Sequence, residues 1–347
     1  MSEQSRIKFG IAGLGNIAAT HARAIIGLPR AEVAAACSRS EINRNEFSRE
    51  FEVPVYSDYQ EFLDYKNLDA VAICTPSGTH LQYGKLAAEA GKHVVVEKPI
   101  EVTVERGKEL IECCRQNGVK LAVIYQNRFI DGAVQMKKAL IDGALGNPVM
   151  VRAAVKWYRD QEYYSKSGWR GTLEMDGGGA VINQSIHTID LLLWMLGEVS
   201  SVSAYTATIT HPRIEAEDNA VAALNFKSGA LGVFEASTSI VPGQPRIIEI
   251  NCTKGTALLE GENFTMRKSE DQDQINKQDI SRTGAESPLS GMADHPHKKQ
   301  YEQIVDAIIK DIEPVVSGEE SLRSLALTEA IYQSAKHKTA FSPVDFY

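Results

Sequence analysis

The stretch Ile7-Lys8-Phe9-Gly10-Ile11-Ala12-Gly13-Leu14-Gly15-Asn16-Ile17-Ala18 decides the fold. Ile7 to Ala12 is an apolar run that reads as a buried strand, and Asn16 to Leu28 carries a helical pattern stopped by Pro29. Between them stands G-x-G-x-x-A. Gly13 permits a tight turn, Gly15 lets a pyrophosphate approach the backbone, and Ala18 lets the helix lie close to the sheet with its N-terminus facing phosphates. Such a motif is weak alone and gains meaning between a strand and a helix. It predicts a dinucleotide site built from Gly13, Leu14, Gly15, Asn16 and Ile17.

The following residues repeat the rhythm. Ala31 to Cys37, Ala70 to Cys74, His93 to Val96 and Lys120 to Ile124 are short apolar runs, with helical patterns such as Thr79 to Ala90 and Val102 to Gln116 between them. Apolar strands separated by helices imply a parallel sheet covered on both faces, an α/β fold of the Rossmann type. The second strand ends in Cys37-Ser38-Arg39-Ser40, where an NAD enzyme usually carries Asp or Glu; no carboxylate stands there before Glu41. Ser38 and Arg39 suit a 2′-phosphate, so NADP is favoured over NAD.

The alternation stops near Arg128. Beyond it come a helix (Gly132 to Asp142), a strand (Val149 to Tyr158), a helix from about Ala180 to Leu196, and strands at Val199 to Thr210, Asn219 to Phe226, Gly232 to Thr238 and Arg246 to Thr253. Helices return at Pro296 to Lys310 and Ser321 to His337, and the polar Lys268 to Ser287 reads as a loop. The expected division is residues 1–128, a nucleotide-binding domain, and 129–347, an α+β substrate-binding and oligomerisation domain with a large open, mostly antiparallel sheet.

Composition agrees with two domains. The chain has 347 residues, 43% hydrophobic and 24% charged, enough for a large core. Its 37 Lys and Arg against 45 Asp and Glu give −8, a poor match to nucleic acid or an anionic membrane. Five cysteines, an odd count, suggest free thiols rather than a disulfide framework. The first residues show no apolar signal region, and the apolar stretch near Leu191 to Leu196 is too short to span a membrane, so a cytoplasmic protein is expected. His295 and His297 have a spacing a metal could use, but no third ligand is evident, and no metal is expected.

The tripeptide Glu97-Lys98-Pro99 after the fourth main strand, together with the glycine turn, resembles the glucose–fructose oxidoreductase / inositol dehydrogenase (Gfo/Idh/MocA) family. The resemblance extends through Cys74-Thr75-Pro76-Ser77 with His80, Tyr125-Gln126-Asn127-Arg128-Phe129, Gly168-Trp169-Arg170-Gly171, Gly177-Gly178-Gly179 with His187 and Asp190, the His297…Tyr301 helix, and Ala330 to Ala335. It implies an NAD(P)-dependent oxidoreductase of a sugar, sugar derivative or nucleotide sugar, often assembled as a dimer or tetramer through the open sheet. It implies that Lys98 sits beside the nicotinamide and the reacting carbinol, that Glu97 lies next to the cofactor ribose, that Thr75, Pro76, Ser77 and His80 line the nicotinamide side, and that Trp169 and Arg170 close over the cofactor. His187 would face the substrate hydroxyl, with Tyr125 among the substrate contacts.

Chemistry supports these roles. Oxidation of a secondary alcohol needs a group to take the hydroxyl proton, and His187 titrates near neutrality. Lys98 can polarise the alkoxide or exchange a proton; sequence does not decide which of the two is the base. Asn183, His187 and Asp190, spaced by four and three, would share a helix face. Many family members carry Asp four residues before the histidine. Asn183 can orient a sugar hydroxyl but not relay a proton, and the pattern looks more like dehydrogenases that oxidise the 3-position of nucleotide-linked amino sugars. Asp190 would either orient the imidazole or salt-bridge its helix. Tyr158 suits stacking on a sugar, and Arg128 and Arg159 suit a substrate phosphate or carboxylate, or ordinary ion pairs. A second reading, a glycosidase with tightly held NAD, needs the same residues; a third, a non-catalytic NADP-binding sensor on the same scaffold, is opposed by the presence of Lys98 and His187.

Overall fold

The computed structural model describes residues 6–268 and 295–346. The first six strands and five helices alternate: β1 (Ile7–Ala12), α1 (Ala18–Ile26), β2 (Ala31–Cys37), α2 (Glu41–Phe51), β3 (Val55–Tyr56), α3 (Tyr59–Leu63), β4 (Ala70–Ile73), α4 (His80–Glu89), β5 (His93–Val96), α5 (Val104–Gln116) and β6 (Leu121–Val123). They form one parallel sheet in the order β3-β2-β1-β4-β5-β6. The order reverses between β1 and β4, the point at which such sheets bind ligands. The α/β expectation holds. Phe9 and Ile11 of β1, and Ala70, Val71 and Ile73 of β4, are fully buried, as strands covered on both faces require.

Then follow α6 (Asp131–Ile141), β7 (Pro148–Lys156), α7 (Gln161–Ser165), a π-helical turn (Ala180–Ser185), α8 (Ile186–Leu196), β8 (Val199–Ala207), β9 (Asn219–Phe226), β10 (Leu231–Ser237), β11 (Ile247–Cys252), β12 (Gly255–Glu260), β13 (Asn263–Lys268), α9 (His295–Lys310) and α10 (Gly318–His337). The second sheet has seven strands, β13-β12-β11-β7-β10-β9-β8. It is antiparallel as expected except where β7 and β10 run parallel. One face packs on α8 and the neighbouring helices through Leu224, Phe226, Phe234, Ile248 and Ile250. Beyond Lys268, the expected polar loop lies outside the described residues.

Two differences from the sequence expectation have physical causes. The expected helix from Ala180 is a π turn until Ser185 and an α-helix only from Ile186. The division of the chain is discontinuous: residues 6–126 form one compact unit with 295–322, and residues 127–268 form the other with 323–346. Helix α9 belongs to the first unit because its apolar stripe, Tyr301, Ile304 and Val305, joins the core of Phe9, Ala22 and Ile25. Tyr301 meets Phe9 edge to face at 5.5 Å. Each such side chain, once buried, contributes about 1.5–3 kcal/mol.

Candidate active site

In the first unit, the loops after β1, β2, β4 and β5 gather at the carboxyl ends of the strands. The amide of Gly13 donates to the carbonyl of Cys37 at 2.9 Å, that of Cys74 to Ala12 at 2.7 Å, and that of Glu97 to Ile73 at 3.0 Å. Gly13 has φ +90°, and a Cβ there would stand 2.7 Å from the Cys74 carbonyl carbon, so only glycine fits. Nothing lies within 4 Å of where a Cβ on Gly15 would point, and no side chain caps α1. Open space beside uncapped N–H groups fits a dinucleotide pyrophosphate. Leu14 is buried, and its carbonyl accepts from Asn43 Nδ2 at 2.8 Å, tying the turn to α2. Asn16 is exposed and Ile17 half-buried. Ser38 is half-buried and Arg39 exposed, on a loop braced by Arg44, whose Nη1 donates to both their carbonyls at 2.9 Å.

After β4, Thr75 and Pro76 are half-buried and Ser77 is buried; Thr79 Oγ1 donates to Thr75 Oγ1 at 2.8 Å. His80 is 1% exposed, with Nδ1 2.9 Å from the Pro99 carbonyl and Nε2 3.0 Å from that of Thr75. Both ring nitrogens are engaged by backbone, so His80 fastens one loop to the other. Lys98 follows on a half-buried turn whose Lys98–Pro99 peptide is cis.

Behind Glu97 lies a buried cluster. His21 Nε2 is 2.8 Å from Glu97 Oε1, and its Nδ1 is 2.7 Å from the Tyr301 hydroxyl. The other carboxylate oxygen, Glu97 Oε2, accepts from the Lys98 amide at 3.1 Å. Burial pushes the Glu97 carboxyl up, but the hydrogen bond and charge of His21 outweigh it and bring it down to about 2. Burial pulls His21 down, and Cys74, Tyr301 and Glu97 together hold it well above the ordinary histidine value. His297, 5.5 Å from His21 between ring centroids, is brought down to about 4 by burial and the neighbouring His21 charge. The donor atoms of His21, Glu97 and His297 lie within 4.8 Å of one another, a set that could hold a metal ion. The sequence showed no third ligand because these residues come from α1, the end of β5 and α9. His21 Nε2 and Glu97 Oε1 already satisfy each other, which makes the set an ion pair as it stands.

In the second unit, the chain leaves β7 through Trp157, Tyr158 and Arg159. Arg159 Nη2 donates to Gln184 Oε1 at 2.9 Å, and the guanidinium lies over Trp157 at 5.4 Å and Tyr163 at 5.1 Å. Its carbonyl is 2.8 Å from His211 Nε2, whose Nδ1 is 2.9 Å from Asp218. Arg170 lies over the same Tyr163 ring at 4.5 Å and over Trp169 at 5.2 Å. Gln184 Nε2 donates to Tyr163 at 2.8 Å and to Asn183 Oδ1 at 2.7 Å, while Asn183 Nδ2 donates to the buried Asp176. Asp176 also accepts from the Gly171 amide at 2.8 Å. Four residues on, half-buried His187 stands in the first turn of α8.

Residues 7–125 match the oxidoreductase family with an NAD-binding Rossmann fold, and residues 133–258 match the GFO/IDH/MocA C-terminal domain. A WlbA dehydrogenase from Bordetella pertussis, crystallised with NADH and UDP-GlcNAcA, is 34% identical, with 97% of this chain and 98% of that one covered and a TM-score of 0.86. The chain belongs to the Gfo/Idh/MocA family. The WlbA dehydrogenase of Chromobacterium violaceum, also solved with NADH and UDP-GlcNAcA, is 31% identical with a TM-score of 0.86, covering 99% of this chain and 97% of that one. Among curated relatives, the myo-inositol 2-dehydrogenase of Thermotoga maritima is 27% identical over 96% of this chain and 97% of its own. As a Gfo/Idh/MocA member the chain is an oxidoreductase with an NAD-binding Rossmann fold, acting as an NAD(P)-dependent dehydrogenase on CH–OH groups.

Within this family frame, the structure commits two candidate residues elsewhere. Arg128 forms a buried bidentate ion pair with Asp190, Nε to Oδ2 at 2.7 Å and Nη2 to Oδ1 at 2.6 Å, with Ser324 also on Oδ1 at 3.1 Å. Each group therefore has an internal ion-pair partner. Tyr125 is fully buried, whereas Tyr158 is 50% exposed. A shared face for Asn183 and His187 requires α-helical spacing, and the π turn changes the phase between them. Sequence reading missed Asn43, Arg44, His21, Asp176 and Glu217. His21, Asn43 and Glu217 show only through contacts across long separations, whereas Arg44 and Asp176 hold groups within seven residues of themselves, and an Asn and an Arg in the first turn of α2 are a signal that the loop before it needs bracing.

Proposed function

We propose that this chain oxidises a ring hydroxyl, at the 3-position, of a nucleotide-linked amino sugar. The observation that carries it is the end-to-end match, at 34% identity, to a WlbA dehydrogenase solved with NADH and UDP-GlcNAcA. Asn183 and Gln184 before His187 support it, as do Arg159 and Arg170, neither of which has an acidic partner within 4.0 Å among the described residues. A nicotinamide cofactor supplies the hydride acceptor. His187 takes or returns the hydroxyl proton, Lys98 stabilises the developing alkoxide, and Asn183 orients a neighbouring hydroxyl. Gly13, Gly15, Asn16 and Ile17 hold the pyrophosphate end. Ser38 and Arg39 favour NADP, a preference opposed by the NADH in both WlbA structures and decided by the ratio of dissociation constants. The exposed face of the second sheet carries Met150, Tyr205, Val221, Leu231 and Val233, a patch suited to a second copy of the chain.

Absorbance at 340 nm with UDP-GlcNAcA and each cofactor tests this. Turnover is expected there and not with myo-inositol, and Lys98→Ala and His187→Ala should each lower kcat on the order of a hundredfold or more. Near-normal turnover of both variants would sink the residue assignment.

A further inference from the structure

The glycine triplet and the π turn that follows it share one anchor, and nothing assigned so far uses it. A helix leaves its first N–H groups without intrahelical partners. Here they are met by two residues from distant parts of the second unit, Glu217 and Tyr332. Glu217, at the entrance to β9, takes three: Gly179 N donates to its Oε2 at 3.1 Å, Val181 N to its Oε1 at 2.8 Å, and Ala180 N to its own carbonyl at 3.0 Å. The fourth, Ile182 N, donates to the Tyr332 hydroxyl at 3.3 Å, and that hydroxyl donates to Glu217 Oε1 at 3.1 Å. The fit is close. A Cβ on Gly178 would lie 2.1 Å from the Tyr332 oxygen, and one on Gly179 would lie 1.9 Å from the Glu217 carbonyl. Gly178 and Gly179 therefore have a mechanical reason: they let this clamp close on the backbone.

We infer that Glu217, with Tyr332, is a positioning residue for the reaction, fixing the start and phase of the helix that presents Asn183, Gln184 and His187. The inference rests on His187 being the proton-handling residue. π turns recur at functional sites because the extra residue re-aims side chains, and they persist only where surroundings hold them. Glu217 and Tyr332 are those surroundings. The titratable groups around the carboxyl are Tyr332, Tyr164 and Asp176, none of them cationic. Burial accordingly pushes Glu217 up to about 7, against the backbone and tyrosine hydrogen bonds that lower it. The clamp changes charge within the working range of an enzyme.

Two readouts separate this inference from the functional reading. Amide hydrogen exchange over residues 179–182 needs no substrate. Tyr332→Phe and Glu217→Gln, which keep much of the side-chain volume, should each raise exchange in that segment about tenfold or more while cofactor binding by the first unit is unchanged. With a turned-over substrate, kcat should fall by roughly tenfold to a hundredfold in Glu217→Gln, with a smaller change in KM. The ionisation near pH 7 that belongs to Glu217 should also vanish from its pH–rate profile. Folded variants with wild-type exchange overturn the clamp. Wild-type kcat and pH profile in variants that do exchange faster overturn its link to catalysis. If the wild-type enzyme turns over no nucleotide sugar, the functional reading falls and exchange alone decides the clamp.

Discussion

Glu97, half-buried, and Glu217, buried, both hold a loop in place, one in each unit, yet desolvation has opposite outcomes for them. Glu97 faces His21 and ends near 2; Glu217 faces only N–H and O–H donors and ends near 7. A full positive charge at 2.8 Å overcomes desolvation, whereas two amide donors and a phenol do not. The first arrangement is an ion pair that stays charged through neutrality. The second is a cap that can gain or lose its charge there.

The largest test of this contrast removes the cation. His21→Ala leaves Glu97 buried without its partner and should cost about 3–5 kcal/mol, read as a lower urea midpoint at pH 7. Next come the pH limbs, whose signs differ. Glu97 is depressed, so the native state binds fewer protons than the unfolded chain between pH 4.5 and about 2, and its contribution, about 3 kcal/mol, is lost as pH falls through that window. Glu217 is raised, so the native state binds more protons between pH 4.5 and about 7, and stability falls by about 3 kcal/mol as pH rises there. Urea titrations of Glu217→Gln should show that decline removed, with the acid limb intact; an unchanged decline would assign it to another group. The smallest effect is Tyr332→Phe, about 1 kcal/mol for hydrogen bonds lost. A larger loss there would mean that Tyr332, not Glu217, carries the clamp.

Sequence periodicity revealed the parallel sheet and the Gly13 turn because each is local: strand, turn and helix lie within twenty residues of one another. Lys98 and His187 are candidates for a different reason, through motifs. What stayed hidden was what holds them. Glu97 depends on His21 and Tyr301, and the π turn on Glu217 and Tyr332, partners brought together only by folding. The expected domain boundary at Arg128 placed α9 on the wrong side for the same reason: nothing local in His295 to Lys310 says that its stripe fits α1. For Arg128 the sequence leaves a ligand contact and an ion pair open, because an arginine in a motif does not disclose its buried partner Asp190.

The placement of α9 has a consequence in time. Tyr301 meets His21 across 280 residues of chain. A ribosome that has released β1 to β6 has not yet made the helix that completes their core, and the second sheet is synthesised first. At ordinary translation rates the interval is on the order of tens of seconds. During it, the surface of α1 that carries His21 waits uncovered, so the nucleotide-binding unit, first to be encoded, is among the last to be finished.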